Sequence, residues 1–178
     1  MLEPLLHHRR LTLSQAVPIG SLLWPRPYFP TRWGRAQWVA NVLPSWAIAS
    51  GITAGWVWTG MGYPTPWQVL RDELPGLSPL ERTSWQARLR SKAHHSVETI
   101  GKIRLLSSQS TAVEVLLRGH NIDAGAAQLL FLLGANSSLD QLLGQRRTSP
   151  TERHHAEAML EREKILRNRY PDITRYTS

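Results

Sequence analysis

A chain of 178 residues with 42% hydrophobic and 19% charged residues can bury a sizeable core, which excludes a disordered tail. Its net charge of +8 favours acidic partners: nucleic acid, an anionic surface or an acidic protein. The absence of cysteine excludes disulfide frameworks, Cys-ligated zinc or iron–sulfur centres and thiol nucleophiles.

Basic character is spread along the chain. Residues 1–45 carry +4, residues 46–70 are uncharged, residues 71–104 carry +3, residues 105–145 carry −2 and residues 146–178 carry +3. Arginine outnumbers lysine 18 to 3, a bias that also follows from GC-rich coding, so part of the charge need not reflect function. All eight tryptophans fall between Trp24 and Trp85.

The first residues hold Glu3, His7-His8 and Arg9-Arg10, without the apolar run and cleavage site of a secretory leader, and a cytoplasmic location is expected. Pro18, Pro25, Pro27 and Pro30 punctuate the next stretch, and Pro25-Arg26-Pro27 is incompatible with a helix or central strand because each ring removes a backbone donor. Arg26, Arg32 and Arg35 alternate with Trp24, Tyr28, Phe29, Trp33 and Trp38. Such a mix suits base stacking, but packing in a core or protein interface is the favoured reading.

The uncharged stretch 36–70 is interrupted by Asn41, Pro44, Ser45 and Thr53, short of the roughly 20 apolar residues of a membrane span, so a buried core helix is expected. Ser45 caps a helix expected from Trp46 to about Thr59, with Gly60 as its stop. Tyr63–Pro66 reads as a turn and Trp67–Leu70 as a short strand. Thr83–Lys92 alternates like a half-buried strand, with a helix from Ser78 as the competitor. Val97–Ile100 and Ile103–Leu106 flank Gly101-Lys102 as a tight hairpin. Four helices follow: Thr111–Arg118 capped by Ser110 or Ser108, Asp123–Leu133, Leu139–Gln145 capped by Ser138, and Thr151 to about Asn168, started by Ser149-Pro150. The fold class is therefore α+β, a small sheet with a Trp-rich helix against a mainly helical C-terminal half. Its expected segments are 1–44, 45–145 and 146–178.

Chemical motifs are sparse. Arg90 and His95 have the spacing of the dyad in HEPN-type ribonucleases, which requires both on one helix face to bind and cleave a phosphodiester; a solvated basic strand is the simpler reading. His154 and His155 lie near Glu157 and Glu161. Adjacent positions point about 100° apart on a helix, so a charged outer face is preferred to a metal site. No G-x-S-x-G elbow surrounds Ser107, Ser108 or Ser110, and no GK[ST] or G-x-G-x-x-G loop occurs. No catalytic residue, metal or cofactor is expected.

Two stretches resemble the AbiEi-type antitoxins of abortive-infection (type IV) toxin–antitoxin systems, in a divergent actinobacterial form. Ala49-Ser50-Gly51-Ile52-Thr53-Ala54-Gly55-Trp56-Val57-Trp58 is similar to the family's "ASxxTAAWLxG" helix, and Ile100–Leu116 is similar to its "GGVRVTSPxRTALDLA" hairpin and helix. The resemblance covers roughly residues 45–145. Ser108, Ser110 and Glu114 stand where the family has Pro, Arg and Asp, while Thr111 and Ala112 persist. Residues 1–44 are too short for the winged-helix module the family places first, so the fold carries over better than DNA binding. The resemblance implies a non-catalytic regulatory protein, DNA-binding or bound to a cognate toxin, acting in transcription regulation through basic surfaces. Arg88, Arg90, Lys92, Arg146 and Arg147 are its candidate contacts. The alternatives are a small ribonuclease using Arg90 and His95, or a structural subunit without nucleic-acid affinity. Oligomeric state is not legible in the sequence.

Overall fold

The computed structural model describes residues 16–19, 22–25, 31–64, 66–72, 78–133, 137–144 and 146–170. Tyr28, Phe29 and Arg26 of the aromatic–arginine stretch lie outside them. Strands β1 (Ala16–Ile19) and β2 (Leu22–Pro25) form a two-stranded antiparallel sheet. Both strands are edges, which is where Pro18 and Pro25 are tolerated.

Helix α1 (Arg32–Val42) starts at Thr31, whose hydroxyl accepts from the Gly34 N–H. Next come β3 (Ile48–Ala49), α2 (Gly51–Thr59), β4 (Val69–Arg71), α3 (Pro79–Trp85), β5 (Arg88–Leu89), β6 (Val97–Ile100) and β7 (Ile103–Leu106). The helical half follows as α4 (Ser108–Arg118), α5 (Ile122–Leu132), α6 (Leu139–Leu143) and α7 (Pro150–Arg169). Five strands make one mixed sheet in the order β5-β4-β3-β7-β6, antiparallel at β3/β4 and β6/β7 and parallel at β3/β7 and β4/β5. This is the expected α+β architecture.

Three expectations are corrected. The helix expected from Trp46 begins at Gly51, because Ile48-Ala49 are taken as the central strand and Gly51 has φ 45°, a break no regular helix passes through. The expected strand Thr83–Lys92 is divided: its first residues end α3, and only Arg88-Leu89 pair with β4. Helix α4 begins at Ser108, earlier than expected, since Ser107 and neither Ser108 nor Ser110 is the cap, accepting from the Ser110 N–H. The hairpin, α6 and α7 fall where local signals place them. Capping boxes pair Ser138 with Gln141 and Ser149 with Glu152.

The apolar interior has two parts. Sheet residues Ile48, Val69, Leu70, Leu105 and Leu106 join Val39, Trp56 and Val57 in one cluster, and α4–α7 form the other around Val115, Leu116, Leu129 and Met159. Helix α2 joins them, packing on α1, α4 and α5. Two buried amides hold it. Gln68 Oε1 accepts from the Ile52 N–H at 3.0 Å, supplying the N-terminal cap that the Ser50 hydroxyl does not. Gln128 Nε2 donates to the carbonyls of Ile52 and Met61. Glycine makes both approaches feasible: a Cβ at Gly51 would lie 2.0 Å from Gln68 Oε1, and one at Gly55 1.9 Å from Gln128 Oε1.

Candidate functional site

The aromatic–arginine stretch is divided between interior and surface. Trp38 is buried in a ring cluster with Trp56, Tyr63 and Trp67, at centroid distances of 5.4 to 6.0 Å. Burial pushes the Tyr63 hydroxyl up to about 12. Arg35 is also buried. Its Nε donates to the Val57 carbonyl at 2.9 Å and Nη2 to the Trp58 carbonyl at 3.2 Å, so a cation sits at the negative end of α2. Desolvation lowers its pKa to about 10. Trp33 is 57% exposed, with Arg32 over its ring.

The densest polar cluster surrounds Glu114, in the middle of α4 with a side chain fully shielded from solvent. Arg88 from β5 donates to Oε2 at 2.5 Å, and Arg118, one turn on, lies 4.0 Å from the same oxygen. Arg146, preceding α7, donates to Oε1 at 2.8 Å, and the His95 ring meets Oε1 at 3.0 Å. The His95 tautomer follows from its second bond. The Ser91 N–H donates to Nδ1 at 3.2 Å, so Nε2 carries the hydrogen and donates to the carboxylate. Burial alone pushes the Glu114 carboxyl up. The His95 hydrogen bond, the charge and hydrogen bond of Arg88 and the hydrogen bond of Arg146 outweigh it and hold the carboxyl well below the usual range.

A smaller cluster lies beside it. Asp72, just after β4, accepts from Arg90 at 2.8 Å and, through its other oxygen, from Arg104 of β7. Hydrogen bonds from Arg104 and then Arg90 depress its pKa. Arg90 also donates twice to the His95 carbonyl, at 2.8 and 3.2 Å, which ties the loop 91–96 to the sheet.

Two clefts open on either side of this arrangement. One, of about 650 Å³, is lined by Arg90, Lys92, His94, His95, Ser110 and Arg146 among others, and no carboxylate is among the described residues of its lining. The other, of about 610 Å³, is lined by Gln68, Gln86, Arg88, Arg118, His120 and His155 with Glu152. Gln86 there has φ 39°, the only positive value outside glycine among the described residues, and its amide oxygen meets the His120 ring at 3.0 Å.

The five candidate contacts are thus distributed. Arg90, Lys92 and Arg146 share the first cleft, Arg88 faces the second, and Arg147 is exposed next to Arg146. Arg90 and His95 are neighbours, but not on one helix. Arg90 follows β5, His95 precedes β6, the Arg90 guanidinium grips the His95 backbone, and the ring is 4% exposed. His155 is spent on the Gly119 carbonyl at 2.8 Å, and among the described residues no three His, Asp or Glu gather as metal ligands. Among them, too, no helix is long and apolar enough to cross a membrane.

Sequence reasoning missed Glu114 as the centre of a site and did not anticipate Asp72. The signal for Glu114 is its isolation: it is the sole charged residue between Arg104 and Arg118, so α4 carries it into the interior among apolar neighbours. Asp72 offers no comparable sign.

Fold and site together define an α+β protein in which a buried and a half-buried carboxylate gather arginines beneath a basic cleft. Compared with known protein families, curated proteins and solved structures, the chain matches none.

Proposed function

We propose that this chain is a non-catalytic, antitoxin-like regulatory protein that contacts DNA or a toxin partner through basic surfaces, with the cleft of Arg90, Lys92 and Arg146 as its contact. One observation carries the reading: three of the five cations singled out from the sequence line a single cleft that has no carboxylate among the described residues of its lining. A surface of one sign attracts and orients an acidic partner. Glu114, which departs from the Asp of the resembled family, holds Arg88 and Arg146 in place beside the cleft.

The test is a salt-titrated binding measurement with duplex DNA, followed by inspection of the DNA for cleavage. Binding that weakens steeply with salt and leaves the DNA intact is expected. Cleavage of single-stranded RNA in a parallel assay, abolished by His95→Ala, would establish the ribonuclease alternative instead. If DNA does not bind at low salt, only a toxin partner is left to this reading, and absence of both sinks it.

A further inference from the structure

We infer that the basic cleft is a seat for a phosphomonoester, the phosphorylated 5′ end of a nucleic-acid strand; this rests on the proposed reading of the cleft as a nucleic-acid contact. The two carboxylates behind the cleft are both shared. Asp72 serves Arg90 and Arg104, and Glu114 serves Arg88 and Arg146. Each carboxylate is divided between guanidiniums, so Arg90 and Arg146, the two arginines that line the cleft, are only partly neutralised by the acids behind it. Lys92 is exposed and has no acid partner among the described residues.

The donors are unspent as well. Arg146 commits Nη2 to Glu114, and Nη1 is buried without an acceptor, so the guanidinium is not fully satisfied by the acid behind it. Helix α4 begins in the same wall, where Gln109 and Ser110 line the cleft. Its first turn has no acidic residue, so the positive end of the helix adds to the field of the arginines.

Charge and shape select the ligand. A phosphomonoester carries about −1.5 to −2 at neutral pH and offers three terminal oxygens. Its two charges answer the three cations that line the cleft, Arg90, Lys92 and Arg146, better than the single charge of a diester or a carboxylate does. A concave seat admits the end of a strand, while a phosphate in mid-strand would have to bring both neighbouring nucleotides in with it. Arg147, exposed and next in sequence to Arg146, supplies a further cation for the phosphates that follow.

Fluorescence anisotropy of the full chain with one duplex, carrying either a 5′-phosphate or a 5′-hydroxyl, tests this. The phosphorylated duplex is expected to bind about tenfold more tightly. Millimolar inorganic phosphate should erase that difference and leave the remaining binding in place. Lys92→Gln, a surface change that leaves the fold intact, should shrink the preference, as should Arg146→Gln; Lys164→Gln near the end of α7 should not. Equal affinity for the two duplexes overturns the strand-end seat and leaves the proposed function standing. A preference that free phosphate cannot erase, or a phosphoserine peptide that outcompetes the phosphorylated duplex, also overturns it. If neither duplex binds at low salt, the DNA branch of the proposed function falls together with the seat.

Discussion

Arg35 and Glu114 are both buried charges, and they are accommodated in opposite ways. Arg35 rests on backbone carbonyls at the end of α2, neutral groups that the helix leaves available whatever its sequence. Glu114 is held by side chains from β5, the loop before β6 and the segment before α7. The first arrangement anchors one helix on another. The second ties three separate pieces of chain to α4 through two oxygens, so its loss is felt in several elements at once.

Glu114→Gln should be the most damaging change. It removes the charge and leaves Arg88 and Arg146 facing each other, a loss of about 3–5 kcal/mol in chemical denaturation. Arg35→Met should cost less, about 1–3 kcal/mol, since it strands carbonyls and not charges. A result in which Arg35→Met is the costlier of the two breaks the comparison. Gly55→Ala should cost about as much as Arg35→Met, about 2 kcal/mol, because the new methyl meets the buried Gln128 amide, and the cost is read as a lower thermal midpoint.

Acid sharpens the contrast. Glu114 and Asp72 have carboxyl pKa values depressed by folding, so the unfolded chain binds more protons as the pH drops. Their stabilisation is complete above the ordinary carboxylate range and drains away from about pH 5 downwards. Thermal midpoints should decline over that interval, and Glu114→Gln should decline less steeply. Smallest of all, Lys92→Gln should shift stability by under about 0.5 kcal/mol, while lowering the salt slope of DNA binding by about one unit.

What could be read in the sequence was local. Ser138 with Gln141, Ser149 with Pro150 and Glu152, and Gly101 between two apolar runs each settle their own few residues, and the structure places the α6 and α7 starts and the hairpin there. Strand β3 could not be read in this way. Ile48 and Ala49 are strand because Leu70, Val69, Arg104 and Leu105 flank them, and a two-residue strand has no period of its own. The cleft divides along the same line. Its basic residues stand out in the composition, but the acids that orient them do not: Glu114 is one buried carboxylate in an apolar helix, and Asp72 is a half-buried one at the end of a short strand.

The parallel pairing of β3 with β7 also orders events in time. The Trp58 indole donates to the Leu106 carbonyl, 48 residues on, and the Gln128 amide returns to Ile52 across 76. Contacts so distant in the chain close slowly, because the loop entropy is lost before any pairing rewards it. On a ribosome, the tryptophan-rich half must wait for residues beyond 106 to emerge before its central strand gains a second neighbour, leaving that apolar surface open to chaperones in the interval.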